Sequence, residues 1–191
     1  MVIIKQLRPT IVLFLIFSLI TGLAYPFLVT GIGQLVFPKQ VMGSLIFKKN
    51  HLIGSQLIGQ NFSSPRYFWG RPSATPDYPY NAKISKGSNL GPLNPALISK
   101  IEQRIQVLQT ENESIFLPPI DLITASGSGL DPEISPAAAW YQVSRIARNR
   151  KIPIGKIQRL VDQHIQKRQL GFLGEARVNV LQLNLALDKL E

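Results

Sequence analysis

Ile11 to Val29, IVLFLIFSLITGLAYPFLV, is almost wholly apolar, and no charged residue stands between Arg8 and Lys39. A helix rising about 1.5 Å per residue needs about twenty such residues to cross a hydrocarbon layer of about 30 Å, and only a helix satisfies its own backbone there. The stretch therefore predicts one transmembrane helix over 11–36, after a short N-terminus (1–10) and before a tethered soluble domain (37–191). A cleaved secretory leader is the competing reading. Its apolar cores run about 7 to 15 residues and end at a small-x-small site, whereas here Leu23-Ala24-Tyr25-Pro26 leads into more apolar chain, which favours an anchor. Pro26 predicts a kink or a stop unless neighbouring groups satisfy the carbonyl it frees, and Gly31 and Gly33 permit close approach of another helix.

Lys5 and Arg8 precede the span, and Lys39, Lys48 and Lys49 follow it. Large domains translocate largely regardless of charge, so the short basic N-terminus decides the orientation: N-terminus inside, soluble domain outside. The chain has no cysteine, which removes disulfides and thiol chemistry. Its net charge of +10 is concentrated between Arg145 and Arg168, where eight Lys and Arg side chains face Asp162 alone. That patch reads as a pair of solvated or partner-facing basic helices. Anionic lipid is a further reading, and nucleic acid is disfavoured because no reading motif accompanies the charge.

The residues after the span suffice for one domain with its own core. Ser44 to Lys49 is β-prone and opens it as a strand. From Asn61 to Pro95, Pro65, Pro72, Pro76, Pro79 and Pro92 exclude a long helix, yet Phe62, Tyr67, Phe68, Trp69, Tyr78 and Tyr80 imply an ordered excursion pinned by buried rings. Asn94-Pro95 starts a helix whose Leu97, Ile98, Ile101, Ile105 and Leu108 form one apolar stripe. Ile120 to Thr124 predicts a short strand running into the loop 125–129. Ser135-Pro136 launches a helix to about Asn149, with Ala139, Val143 and Ile146 on its buried side. Asp131 and Glu133 precede that helix, where negative charge is favourable. A second helix over 154–169 buries Ile157, Leu160, Val161 and Ile165 and stops at Gly171, with His164 at its edge. Residues 178–187 alternate like a strand but permit a helix, towards which the reading leans. The fold class is α+β, a small sheet with several helices behind one transmembrane helix.

Catalytic signatures are scarce. His51 and His164 lie on separate elements, Gly127-Ser128-Gly129 has Ser126 where a nucleophile elbow needs glycine, and neither a phosphate loop nor metal-ligand spacing occurs. Nothing assigns chemistry to this chain alone.

Three stretches carry a family resemblance: Gly54-Ser55-Gln56-Leu57-Ile58-Gly59-Gln60, Gly87 to Pro95 (GSNLGPLNP) and Thr124 to Pro132 (TASGSGLDP). With Arg71-Pro72-Ser73-Ala74, Tyr80-Asn81-Ala82, Ile134-Ser135-Pro136, Arg145 and Arg177-Val178-Asn179-Val180-Leu181, they cover essentially the whole chain. It closely resembles the C subunits (KdpC) of Kdp-type potassium-transporting P-type ATPases. Lys86 and Glu133 depart from the family's usual glycine and histidine. The resemblance implies a non-catalytic accessory subunit in a bacterial cytoplasmic (inner) membrane, without a cofactor of its own. Its implied partners are a channel-like potassium-binding subunit, an ATP-hydrolysing P-type subunit, a small single-span subunit and membrane lipid. It implies assembly or stabilisation of the complex and raised ATP affinity of the catalytic subunit, ATP acting at the level of the complex. The alternative is a membrane-anchored regulator contacting ATP directly through Gln60, with Gln56 second. Arg71, Asn81, Asn89, Asn94, Ser126, Ser128 and Asp131 are the candidate partner contacts. An outside domain would act on ATP affinity only through differential contacts with two conformations of the transport subunits.

Overall fold

A computed structural model of the chain describes residues 2–190. The backbone divides into two compact units, one up to residue 45 and one from residue 46 on. In the first, α1 (Val2–Leu19), a single π-helical turn (Ile20–Ala24) and α2 (Tyr25–Val36) run on with helical dihedrals at both joints, and α3 (Pro38–Val41) follows. Pro26 therefore does not stop the helix. The wider turn just before it accommodates a ring that cannot donate and would crowd the preceding turn. Gln6–Val36 is long and apolar enough to cross a membrane. Its 31 residues make about 46 Å, more than the hydrocarbon thickness, a length that in a bilayer would be met by tilt or by ends reaching the headgroups. Within it the Thr10 and Thr21 hydroxyls donate to Gln6 O (2.8 Å) and Phe17 O (2.7 Å), so their polar atoms are satisfied inside the helix.

The second unit opens with the hairpin β1 (Leu45–Lys48) and β2 (His51–Ser55). Its two turn residues, Lys49 and Asn50, have φ of 48° and 66°, the left-handed pair that a two-residue hairpin turn requires. A long irregular segment leads to α4 (Pro95–Asn112), where Asn94 Oδ1 accepts from Ala96 N at 2.9 Å. Leu108 of the α4 stripe is buried, Leu97, Ile101 and Ile105 are half-buried, and Ile98 stays exposed. After α5 (Ile120–Ile123) and β3 (Glu133–Ile134) come α6 (Pro136–Arg150), α7 (Ile154–His164), β4 (Ile165–Gln166), β5 (Arg177–Asn179) and α8 (Val180–Leu187). The sheet order is β3-β5-β4, antiparallel throughout, with Ile134 and Ile165 both opposite Val178. Helix α6 packs on α7 and α7 on α8, and Ala139, Val143, Ile146, Ile157, Val161, Val178 and Leu183 fill the core between them. The fold is α+β.

The structure departs from the sequence reading at four places. Residues 120–123 form a helical turn and no strand: Pro119 initiates it, Leu122 and Ile123 are buried, and an apolar run this short has no decisive period. Helix α7 ends at His164, where the ring Nδ1 lies 2.8 Å from Leu160 O, and β-branched Ile165 joins the free edge of β5. Gly171 consequently lies in a turn tip at φ +85°. The helix towards which the reading of residues 178–187 leans is present as α8 from Val180 on, preceded by β5, with Asn179 capping it through Gln182 N (3.0 Å). The charge at the α6 N-terminus is Asp121, whose carboxylate accepts from Ser135 N (2.7 Å) and Ser135 Oγ (3.2 Å), while Asp131 and Glu133 pair with Arg71 and Arg177. Finally, the basic helices are only partly solvated. Arg148, Lys151, Lys156, Arg159, Lys167 and Arg168 are exposed, but Arg145 is 0% exposed and Arg150 is buried.

These two buried arginines explain the aromatic segment. Residues 64–67 make a turn closed by Tyr67 N donating to Ser64 O (3.1 Å), residues 68–69 follow with no strand beside them, and side chains take most of the remaining backbone groups. Arg145 Nη1 and Nη2 donate to Pro65 O (3.0 Å) and Tyr67 O (3.1 Å), and Arg150 Nε donates to Arg66 O (2.8 Å). The Asn184 amide takes both Phe68 N and Phe68 O at 2.9 Å, and the Gln142 amide takes Trp69 N (2.8 Å) and Trp69 O (3.1 Å). An amide side chain offers the same donor and acceptor pair as a neighbouring strand. Phe68 is thereby fully buried, and the Arg145 guanidinium stacks 4.1 Å from the Trp69 ring centroid.

Candidate functional site

Two of the three stretches that carried the resemblance, 54–60 and 124–132, fold onto each other together with residues 71–86. Gly59 N donates to Leu130 O (2.8 Å), Ser126 N to Pro72 O (3.2 Å) and Lys86 N to Ser128 O (2.9 Å), so segments from 54–60, 71–86 and 124–132 interlock through their backbones. Ser73 is the hub: its Oγ donates to Gly129 O (2.7 Å) and accepts from Tyr80 N (2.9 Å) and Thr75 N (3.3 Å). Tyr80 Oη then donates to Arg71 O. Two glycines make this approach possible. A Cβ on Gly59 would overlap the Tyr80 ring and stand 2.7 Å from Asp131 O, and one on Gly129, at φ +69°, would stand 2.5 Å from Lys86 O.

Electrostatically the knot centres on Arg71 Nη1 and Asp131 Oδ2, 3.1 Å apart and both half-buried. Burial, and secondly the Asp131 charge, push the Tyr80 hydroxyl up to about 12, against the lowering effect of Arg71. The phenol stays a neutral donor at physiological pH.

Of the residues singled out in the sequence, Arg71, Asn81, Ser126, Ser128 and Asp131 belong to this interlocked set. Asn81 is buried, taking Pro76 O through Nδ2 (3.3 Å) and Lys83 N through Oδ1 (3.1 Å), and Ser126 is buried beside it in the loop 125–129. Ser128 is exposed and caps Leu130 N (3.1 Å). Gln60 is half-buried and donates from Nε2 to Ile53 O (2.7 Å), fastening β2, at a recess of about 230 Å³ that Lys48 and Tyr67 also line. Gln56 is exposed and contributes its carbonyl, which accepts from Asn179 Nδ2 (2.9 Å). Asn89 (φ +51°) and Asn94, the α4 cap, are exposed and stand outside this hydrogen-bonded set.

Beside the knot lies an open cleft of about 540 Å³ between α4 and residues 61–80, lined among others by Phe62, Trp69, Arg71, Tyr80, Arg104 and Leu122. Arg104 Nη1 donates to Ile123 O (2.8 Å), and burial lowers the pKa of its guanidinium. The unit also carries large apolar side chains in water, Leu93 at 89% exposure and Ile115 at 90%, with Phe116 and Leu117 beside the latter. Among the described residues no group of three or more His, Cys, Asp or Glu side chains is placed to hold a metal ion.

The family model described as "K+-transporting ATPase, c chain" matches residues 7–189. The chain belongs to the KdpC family. A potassium-transporting ATPase KdpC subunit from Methylococcus capsulatus is 55% identical over 188 residues, 98% of this chain and 99% of that one. The KdpC subunit from Paraburkholderia xenovorans is 56% identical over 185 residues (96% of each chain), and that from Burkholderia mallei is 58% identical over 182 (95% and 94%).

Within this KdpC-family chain, sequence reasoning missed Gln142, Asn184 and Asn112, and named Arg145 without its role: these erect the site's aromatic wall, with Asn112 Oδ1 accepting from Arg145 Nε at 3.2 Å. The signal was present. Gln142 and Arg145 fall on the same helical arc as Ala139, Val143 and Ile146, and a polar residue inside an apolar stripe is the mark of a buried network.

Proposed function

We propose that this chain is the non-catalytic assembly subunit of an ATP-driven potassium-uptake complex in a bacterial inner membrane. Its N-terminus is cytoplasmic and its second unit faces outward against the potassium-binding and ATP-hydrolysing subunits. What supports this reading is the KdpC-family match over nearly the whole chain, together with interlocked loops and exposed apolar side chains on the same unit. Such chains present a preorganised surface to neighbouring proteins. The apolar helix adds a second contact within the bilayer. Any rise in ATP affinity is then a coupling between conformations, arising because the subunit binds one state of the transporter better than another.

The test is to express the remaining subunits with and without this chain and measure co-purification, potassium-stimulated ATP hydrolysis and the KM for ATP. Loss of the intact complex, or a higher KM for ATP without the chain, is the expected result. An intact, fully active complex lacking it refutes the proposal. Saturable ATP binding by the isolated chain, weakened in Gln60→Ala, would favour direct nucleotide contact instead.

A further inference from the structure

The cleft between α4 and residues 61–80 has a chemical bias that assembly alone does not explain. Two arginines, Arg71 and Arg104, line it, and no Asp or Glu is among its lining residues. Arg71 uses only one corner of its guanidinium: Nη1 holds Asp131, while Nε is buried without a hydrogen-bond partner. A guanidinium is a rigid fork, and its Nε–Nη2 edge is one that matches both oxygens of a carboxylate. Nε is closed to solvent here, and Nη2 is the donor left both accessible and without a hydrogen bond. A charged donor left unmatched at the rim of an apolar cleft suits an acceptor arriving from outside.

The rest of the lining says what carries the acceptor. Phe62, Trp69, Tyr80, Val107, Leu108 and Leu122 make the walls largely apolar. The segment bearing Phe62 and Trp69 is held in place by Arg145, Gln142 and Asn184, so the wall is preorganised. The charge count suits a monoanion. Asp131 already neutralises one arginine, which leaves one net positive charge and would repel a multiply charged phosphate.

We propose that this cleft receives an acidic side chain, flanked by an aromatic or aliphatic one, from a neighbouring polypeptide of the complex. The carboxylate sits on Nη2 of Arg71, with Arg104 on the same cleft wall. This rests on the assembly reading and names the chemistry of the partner.

The probe is N-acetyl-phenylalanine, which carries one carboxylate and one ring, with its uncharged amide as the matched control. Trp69 lines the cleft, and Trp140→Phe leaves it as the sole tryptophan reporter in the detergent-solubilised full chain. The carboxylate should change Trp69 fluorescence saturably and the amide should not. Arg71→Lys keeps a cation for Asp131 but loses the fork, and should weaken binding about tenfold. Arg104→Gln, on a different element, should weaken it too and serves if the first variant does not fold. Equal binding of the amide, equal binding by both variants, or a response to inorganic phosphate but none to the carboxylate overturns the proposal. In the complex, Arg71→Lys should reduce co-purification with the other subunits. Undiminished co-purification overturns the cleft assignment, whereas failure of the unaltered chain to co-purify would overturn the assembly reading.

Discussion

Arg145→Met is the most informative single change, because it removes the fork and keeps an apolar stem of similar reach. Three acceptors lose their donor: Pro65 O, Tyr67 O and Asn112 Oδ1. Gln142 Oε1, 2.6 Å from Arg145 Nη2, retains Trp69 N. At about 2 kcal/mol for each unmatched buried acceptor, the loss is about 6 kcal/mol, and the stacking on Trp69 adds about 1 kcal/mol. Against this stands the cost of burying a cation. Burial lowers the Arg145 guanidinium to about 10, which corresponds to a desolvation penalty of about 3 kcal/mol that the variant no longer carries. The net destabilisation is about 4 kcal/mol, a large share of a typical domain's stability and about 10 °C in Tm. Urea unfolding of the detergent-solubilised chain, followed by tryptophan fluorescence, measures it. Arg145→Lys should fall nearly as far, since one ammonium cannot reach carbonyls arranged for a fork. A loss below about 1 kcal/mol in Arg145→Met would refute the view that this guanidinium holds residues 65–69 in place.

Tyr80→Phe should change the alkaline limb of stability. The folded pKa is raised above 10, so the hydroxyl contributes stability that is intact below pH 10 and lost as pH rises towards about 12. That is about 2 to 3 kcal/mol, absent from the variant, and the difference between the two proteins cancels the opposite trend of Arg145. Gly59→Ala should cost more than about 2 kcal/mol by driving a methyl into Tyr80 and Asp131 O, whereas Gly155→Ala, with nothing within 4 Å of the added Cβ, should be neutral or slightly stabilising in the same denaturation assay. Asp121→Ala removes the acceptor of Ser135 N and should lower stability by about 1 kcal/mol, read as a shift in the urea midpoint.

Much of the architecture was legible because local rules govern it. The apolar run before Lys39, the Asn94-Pro95 and Ser135-Pro136 helix starts and the α6 and α7 stripes each follow from a few neighbouring residues. Where partners are distant, the sequence reading failed or stayed open. Ile165 became a strand because β5, twelve residues and more downstream, offered an edge, and Ile120 to Ile123 became a turn of helix because Asp121 reaches Ser135. At the site, the convergence of Arg71, Asn81, Ser126, Ser128 and Asp131 was foreshadowed only by shared membership of family motifs. Arg145 was read with its basic neighbours because charge along a chain is visible, whereas the burial of one guanidinium among them depends on carbonyls about eighty positions away.

The absence of a strand beside residues 65–69 has a temporal side. Asn184, which holds Phe68, lies 116 residues after it. During synthesis a nascent domain has its Phe62, Tyr67 and Trp69 rings in hand long before the amide that fixes them has left the ribosome. The aromatic wall is therefore completed late, and a polypeptide that stops before Asn184 lacks the amide that finishes it.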